Sequence, residues 1–468
     1  MSLTVYRRAT RLVDSAEDVY DWHARPGAIE RLSPPWEPVR VLERTGGIAD
    51  GDRAVLRIGV GPLAVRWVAE HRENEPGRQF CDVQVEGPFA RWKHRHRFEP
   101  IPDGGCVLED RIEYALPLEP VSDLVAGGPV GRRIARAFAY RHRRTARDLE
   151  LHRRYPLGGS RRFAVSGASG GIGSALCALL STGGHRPAAL VRSETSRVPP
   201  AAAGTVEWDP AAGRVDAAGL EGTDVVVHLA GEPIAAGRWT DATRHAIRDS
   251  RVEGTGLLAR TLAGLDRPPR VLICASAIGL YGDRGDEVLD EGSPPGEGFL
   301  ADVCREWEEA ADPARAAGIR VVHIRFGLVL WPGFGALQRM LVPFRAGVGG
   351  RLGSGRQFWS WVSLDDVLGA ILHCAARDDV EGPVNVTAPR PVRNAAFSRT
   401  LARVLGRPAC VPAPAAVLRL ALGEMADALL LAGARVDPAR LRQGGYEFLD
   451  PELEPALRHL LGREEGDE

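Results

Sequence analysis

The chain has 468 residues, 44% hydrophobic and 26% charged, with a formal net charge of -1 at pH 7. A single hydrophobic core seldom grows past about 250–300 residues, so two or more domains are expected. A near-neutral chain has no global field toward nucleic acid or an anionic membrane, and no stretch of about 18 apolar residues is available to span a bilayer.

The amino terminus, MSLTVYRRAT, lacks the apolar core of a secretory signal. Seven scattered cysteines without a CxxC pair argue against a disulfide framework and against structural zinc, so no metal is expected and the cytoplasm is the natural compartment. Lys93 is the only lysine; every other basic side chain is arginine or histidine. No ammonium is therefore available anywhere after position 93.

Residues 1–155 read as one domain. Short alternating stretches (AVLRIGV, VRWVAEH, FCDVQVEG, ARWKHRHRF, CVLEDRIEYAL) are separated by Gly-Pro at 61–62 and 87–88 and by Asp-Gly-Gly at 103–105. This is strand and hairpin punctuation. From Val130 to Tyr155 the apolar residues Ile134, Phe138, Ala139, Ala146 and Leu149 fall at helical spacing. An antiparallel sheet closed by one long helix is predicted.

Two features of this domain invite other readings. Trp92, His94, His96 and Phe98 share one face of a strand, but no carboxylate or cysteine partner is evident nearby, so a cavity-lining or cross-strand role is expected rather than a metal pair. The arginine-rich helix also carries Asp148 and Glu150. That favours a solvated face over nucleic-acid or membrane binding.

Residues 156–161 form a short Gly-rich linker. Beyond it the pattern changes: FAVSG, AALVR, VVVHLAG, RVLICASA and RVVHIRFGLVL alternate with helical segments. Near-continuous apolar strands are what a parallel sheet covered on both faces requires. The expected class is α/β, with an NAD(P)-binding Rossmann fold over 162–405. A helical appendage follows over 406–461, then an acidic tail over 462–468.

The segment FAVSGASGGIGSALCALL holds Gly167, Gly170 and Gly173 between a strand and a helix. The first glycine permits a tight turn, the second lets backbone amides approach a pyrophosphate, and the third lets the helix pack closely on the strand. The helix N-terminus then favours the anion. Ser169, Gly171 and Ile172 belong to the same loop, and Leu229, Ala230 and Gly231, at the end of VVVHLAG, join the expected cofactor-binding set. The second strand ends in Arg192 and Ser193 where an NAD-selective site usually has an acid. A guanidinium there suits the 2′-phosphate of NADP. The glycine-rich GGRLGSG at 349–355 lacks the strand context and Lys-Ser/Thr of a P-loop, so it is expected on the substrate side.

The stretches VSGASGGIGSAL, VVVHLAGEPIAAGRWTDATRHAIRDSRVEGT, ICASAIGLYGD, FLADVCREWEEAA and IRFGLVL together resemble the atypical extended short-chain dehydrogenases called the epimerase family, of the YfcH type. The stretch PAPAAVLRLALGEMADALLLAGARVDPARLRQGGYEF resembles the C-terminal domain of unknown function (DUF1731) attached to that family. Residues 1–155, through VYDWHARPGAIERLSPPWE and their strand pattern, resemble the SRPBCC or START-like superfamily. That resemblance implies an α+β helix-grip fold around an apolar cavity, and hence an apolar ligand. The epimerase-family resemblance implies NADP binding and a small-molecule substrate.

It also exposes a gap. Short-chain dehydrogenases pair a Ser/Thr with Tyr-x-x-x-Lys, where the lysine lowers the tyrosine pKa and the tyrosine transfers the proton. Ser276 matches the serine. The tyrosine–lysine helix corresponds to GFLADVCREWE, where Phe299, Leu300, Val303 and Cys304 stand and neither Tyr nor Lys occurs. Tyr281 and Glu232 are the remaining candidates for proton transfer, with a pocket-shaping role the alternative for Tyr281. Arg251 is expected in a buried pair with a carboxylate. Two functions stay open: an NADP-dependent oxidoreductase or epimerase-like enzyme, and a non-catalytic NADP-binding ligand carrier or sensor.

Overall fold

The computed structural model describes residues 3–59, 61, 64–117, 121–193, 195–235 and 237–463, the backbone alone at 121–127. Most of the acidic tail lies outside them. The chain divides into two compact units, one of Met1–Arg154 and one of Tyr155–Leu180 with His185–Arg463, apart from residues 181–184, which group with the first.

The first unit is a seven-stranded antiparallel sheet: β1 (Thr4–Leu12), β2 (Val39–Thr45), β3 (Arg53–Ile58), β4 (Val65–Glu75), β5 (Gln79–Glu86), β6 (Arg91–Pro100) and β7 (Cys106–Ala115). The order is β1-β7-β6-β5-β4-β3-β2, so consecutive strands from β2 to β7 are neighbours and β1 closes on β7. Between β1 and β2 run the helices α1 (Ala16–Ala24) and α2 (Ala28–Leu32), and the long α3 (Val121–Arg154) follows β7. Ser15 caps α1 by accepting the Asp18 amide, which satisfies one of the first-turn donors.

Strand alternation turns one face inward: in β6, His94, His96 and Phe98 are buried while Arg97 is exposed. Trp22, Phe80, Phe98, Leu108 and Leu149 form one cluster under α1 and α3. Ile112, Tyr114, Ile134 and Phe138 form another. This is the helix grip expected from the sequence, but its inner face is not uniformly apolar. His94, His96, Asp110 and His142 are all buried there.

The second unit is built on an eight-stranded sheet. In spatial order its strands are Arg214–Val215, Gly204–Asp209, Arg186–Val191, Arg162–Ser166, Val225–His228, Val271–Ala277, Arg320–Phe326 and Gly382–Val386. All neighbours are parallel except the antiparallel edge strand Arg214–Val215. Val225, Val226, Val227, Val271, Leu272 and Ile273 are fully buried, as doubly covered parallel strands must be. The helix Asp241–Ala263 lays Leu258, Ala259 and Leu262 on Val226 and Leu272.

The segment after Gly406 is mainly helical: Ala415–Leu422, Glu424–Ala426, Ala439–Gln443 and Leu453–Leu461, with a short strand Arg435–Val436 that pairs with Val288–Leu289. It belongs to the second unit. Leu453, Leu457 and Leu460 share a core with Phe397 and Leu401, and Ala434 and Val436 share one with Leu280 and Tyr281. Among the described residues no helix is long and apolar enough to cross a membrane, and all seven cysteines are unpaired.

Candidate functional site

The strand Arg162–Ser166 has Arg186–Val191 on one side and Val225–His228 on the other. The chain thus winds outward in one direction and then restarts in the other. In open α/β sheets the crevice at that switch, beyond the carboxyl ends of the strands, is where ligands bind.

The glycine loop lies at this place. Gly167 has φ +66°, a left-handed conformation that a side chain rarely adopts, and a Cβ there would come within 2.9–3.0 Å of the Leu229 and Ala230 backbone. At Gly173 a Cβ would meet the Gly167 carbonyl oxygen and lie 2.8 Å from Ala168 Cα. Both glycines are therefore required by close backbone approach. Ser169, Gly170 and Gly171 are exposed, and the helix Gly171–Thr182 starts directly behind them. Ile172 is half-buried in its first turn. Orphan first-turn amides together with exposed glycines make a cradle for a pyrophosphate.

Beneath the loop, buried Ser166 ties the two strand ends together. Its Oγ accepts the amides of Leu229 at 3.0 Å and Ala230 at 3.2 Å, and lies 2.6 Å from His228 Nδ1. Burial pushes His228 down to about 4, so the ring is neutral and its Nδ1 can accept the serine proton. The Leu229 and Ala230 amides are thus committed to Ser166, and Gly231 faces the Arg251 guanidinium, from which a Cβ would be 3.2 Å. Arg192, just past the strand Arg186–Val191, is exposed with Ser193.

Ser276 and Tyr281 belong to one buried polar network. Ser276 Oγ donates to Glu308 Oε1 at 2.6 Å. Arg325 grips the same carboxylate with two hydrogen bonds, both 2.8 Å, and donates to Tyr281 Oη at 2.9 Å. Tyr281 in turn donates to Asn385 Oδ1 at 2.8 Å, and Glu291 Oε1 accepts the Asn385 amide at 2.9 Å. Burial alone would raise the Glu308 carboxyl; the Arg325 fork and the Ser276 hydroxyl outweigh it and hold the group below its ordinary value. Burial likewise raises Tyr281, against the pull of Arg325. This phenol is fully buried, and both of its hydrogen-bond roles are taken within the network.

The helix Phe299–Glu309 lies against this network. Val303 and Cys304 are buried, and burial pushes the Cys304 thiol up to about 12. Phe299 meets Trp239 edge-on at 5.2 Å. Glu232 is exposed; its amide donates to Ser250 Oγ at 3.0 Å, and no hydrogen bond among the described residues joins it to Ser276. Arg251 departs from the expected carboxylate pair. It donates to the Glu232 and Ile247 carbonyls at 3.0 and 2.9 Å and sits 5.0 Å from the Trp307 ring centre. Backbone carbonyls turned toward it on the same helix and loop supply the acceptors.

Sequence reasoning missed Glu308, Arg325, Asn385 and Glu291. Two signals were present: Arg325 interrupts an apolar strand, and Glu308 lies four residues after Cys304, on the apolar face of its helix. A charge at each place reads as one buried pair.

The parallel sheet and the glycine cradle at its switch point define a dinucleotide-binding fold of the extended dehydrogenase kind. The family model for the NAD dependent epimerase/dehydratase family matches residues 163–387. An epimerase family protein of Mycobacterium bovis is 41% identical over 300 residues, covering 64% of this chain and 97% of that protein. The crystal structure of human epimerase family protein SDR39U1 with NADPH is similar at 34% identity and a TM-score of 0.58, over 64% of this chain and 99% of that one. That of a nucleoside-diphosphate sugar epimerase from Corynebacterium glutamicum matches at 33% identity and a TM-score of 0.79, over 98% and 90%. The chain belongs to the epimerase family. Its residues 15–143 match the polyketide cyclase/dehydrase and lipid transport model, and residues 413–460 match the domain of unknown function DUF1731.

Proposed function

We propose that the protein binds NADPH at the switch-point crevice and is an oxidoreductase or epimerase-like enzyme acting on a small organic molecule. The exposed cradle of Ser169, Gly170 and Gly171, with Arg192 exposed at the next strand end, carries this reading. The cradle suits a pyrophosphate, and Arg192 suits a 2′-phosphate. NADPH in the human relative supports the same choice. The cofactor supplies hydride transfer. This chain's own part is to bind the phosphates, close the floor with Ser166 and His228, and present the end of the strand Val271–Ala277, where Ser276 is held by Glu308.

The test is calorimetric titration with NADPH and NADH, followed by single-turnover oxidation of bound NADPH against a panel of small carbonyl compounds. Tighter NADPH binding and a decay of nicotinamide absorbance with one class of compound support the proposal. Equal affinity for the two cofactors refutes the NADP selectivity.

A second reading rests on the helix Phe299–Glu309, which offers neither a tyrosine nor a lysine, and on the full burial of Tyr281. In it the protein is a non-catalytic NADPH-binding carrier or sensor. Tight cofactor binding without hydride transfer to any member of the panel would favour it.

A further inference from the structure

The inner face of the helix grip brings together a set of side chains that the cofactor site does not use. The register of β5, β6 and β7 sets Asp82 opposite His94 and His96 opposite Asp110. His94 and His96, two apart on β6, share the inward face and are 2% and 4% exposed. His94 Nδ1 and His96 Nε2 each lie 3.5 Å from Asp82 Oδ2. One ligand atom from each of the three residues lies within 4.8 Å of the others. A separation of 3.5 Å is long for a hydrogen bond. It is close to the edge of a tetrahedron around a cation with bonds of about 2.0–2.1 Å, which is about 3.3–3.4 Å.

The second ring nitrogens carry the argument further. His94 Nε2 is hydrogen-bonded to Asp110 Oδ1 at 3.2 Å, and His96 Nδ1 lies 2.7 Å from the same oxygen without hydrogen-bond geometry. Metal-bound imidazoles hand their remaining N–H to a carboxylate as His94 does here, which fixes the tautomer and turns the other nitrogen to the metal. Asp110 is itself held, through Oδ2, by His142 Nε2 at 3.0 Å, and His142 Nδ1 lies 2.8 Å from Thr10 Oγ1. On the other side, Asp82 Oδ1 is 2.6 Å from His71 Nδ1. His94 is thus oriented by a hydrogen bond, while His96 and Asp82 have Asp110 and His71 in close contact.

We propose that Asp82, His94 and His96 form a mononuclear site for a divalent transition-metal cation, Zn2+ foremost, with Asp110 orienting His94 behind it. Two imidazole nitrogens and one carboxylate oxygen suit Zn2+ and its first-row neighbours. Mg2+ and Ca2+ take oxygen ligands instead. The half-buried Asp82 and the buried Asp110 carboxylates would balance the charge of one divalent ion held by neutral imidazoles. Arg141, 4.7 Å over the Phe138 ring, is a further cation near the inner face and opposes this balance. Asp82 is the more open ligand, with 22% of its side chain exposed, so three protein ligands leave a fourth position on that side for water or an anionic ligand.

The test uses the purified full chain, stripped with a chelator and titrated with Co2+ while the visible d–d absorption is recorded, with Zn2+ as competitor. The expected result is a tetrahedral-type spectrum that saturates at one equivalent per chain and is displaced by Zn2+. Asp110→Asn should weaken binding about 10–100-fold. His94→Asn and His96→Asn should weaken it further, with unchanged far-UV circular dichroism. Should these two variants misfold, the wild-type titration decides by itself. A wild-type chain that shows no saturable spectrum overturns the proposal, as does a folded His94→Asn or His96→Asn variant that binds as the wild type does.

Discussion

Replacing Glu308 with alanine strands a buried guanidinium. Arg325 is 6% exposed; it loses two hydrogen bonds of 2.8 Å, and Ser276 loses its acceptor at 2.6 Å. Removing one partner of a buried pair costs about 3–5 kcal/mol, because the other charge remains without compensation. The Glu308 side chain is 16% exposed, so water reaches the vacated space and the lower end, about 3 kcal/mol, is expected. At about 2.1 cal/mol/K per residue, a unit of about 300 residues shifts by about 1.5 °C for each kcal/mol. Glu308→Ala should therefore lower the melting transition of the second unit by about 4–5 °C, followed by circular dichroism. Tyr281→Phe removes a hydroxyl that accepts from Arg325 and donates to Asn385, at a cost of about 1–3 kcal/mol. The double variant Glu308→Ala/Arg325→Met should recover much of the loss, since removing both charges leaves none unpaired. If Glu308→Ala melts with the wild type, or if the double variant is less stable than the two single losses added together, the network does not act as a buried charge pair.

Arg192→Ala should weaken NADPH binding by about 1–3 kcal/mol, the scale of a charge-assisted hydrogen bond, and leave NADH unaffected in the same calorimetric titration. Gly173→Ala should abolish binding of either cofactor while the chain stays folded, because its Cβ meets loop backbone rather than a side chain that can move; undiminished affinity by fluorescence titration would exclude the loop as the phosphate cradle. Burial, and Asp450 beside it, raise Asp366 from its ordinary 3.8 to about 7. The folded chain therefore binds the extra proton between about pH 4 and 7, and stability falls as pH rises through that window. Asp366→Asn should flatten this slope in urea melts at a series of pH values, and an unchanged slope would show that other groups produce it.

The local and the periodic were legible in the sequence. Continuous apolar runs specify strands covered on both faces, and the Gly167–Gly173 spacing specifies a turn that backbone must approach closely, so the α/β class and the cradle follow from residue order alone. The absence of lysine after position 93 is likewise a fact of sequence, and it removes the usual proton-transfer pair whatever the fold. What depended on register and on contacts between distant segments was not legible. Whether Tyr281 faces a ligand or a partner is decided by Asn385, 104 residues away, and by Arg325, 44 away. His94 and His96 lacked a visible carboxylate because Asp82 and Asp110 lie on neighbouring strands. Pairing in a sheet places residues opposite one another according to turn length and bulges, and shifting a strand by one residue would turn every one of these side chains to the other face.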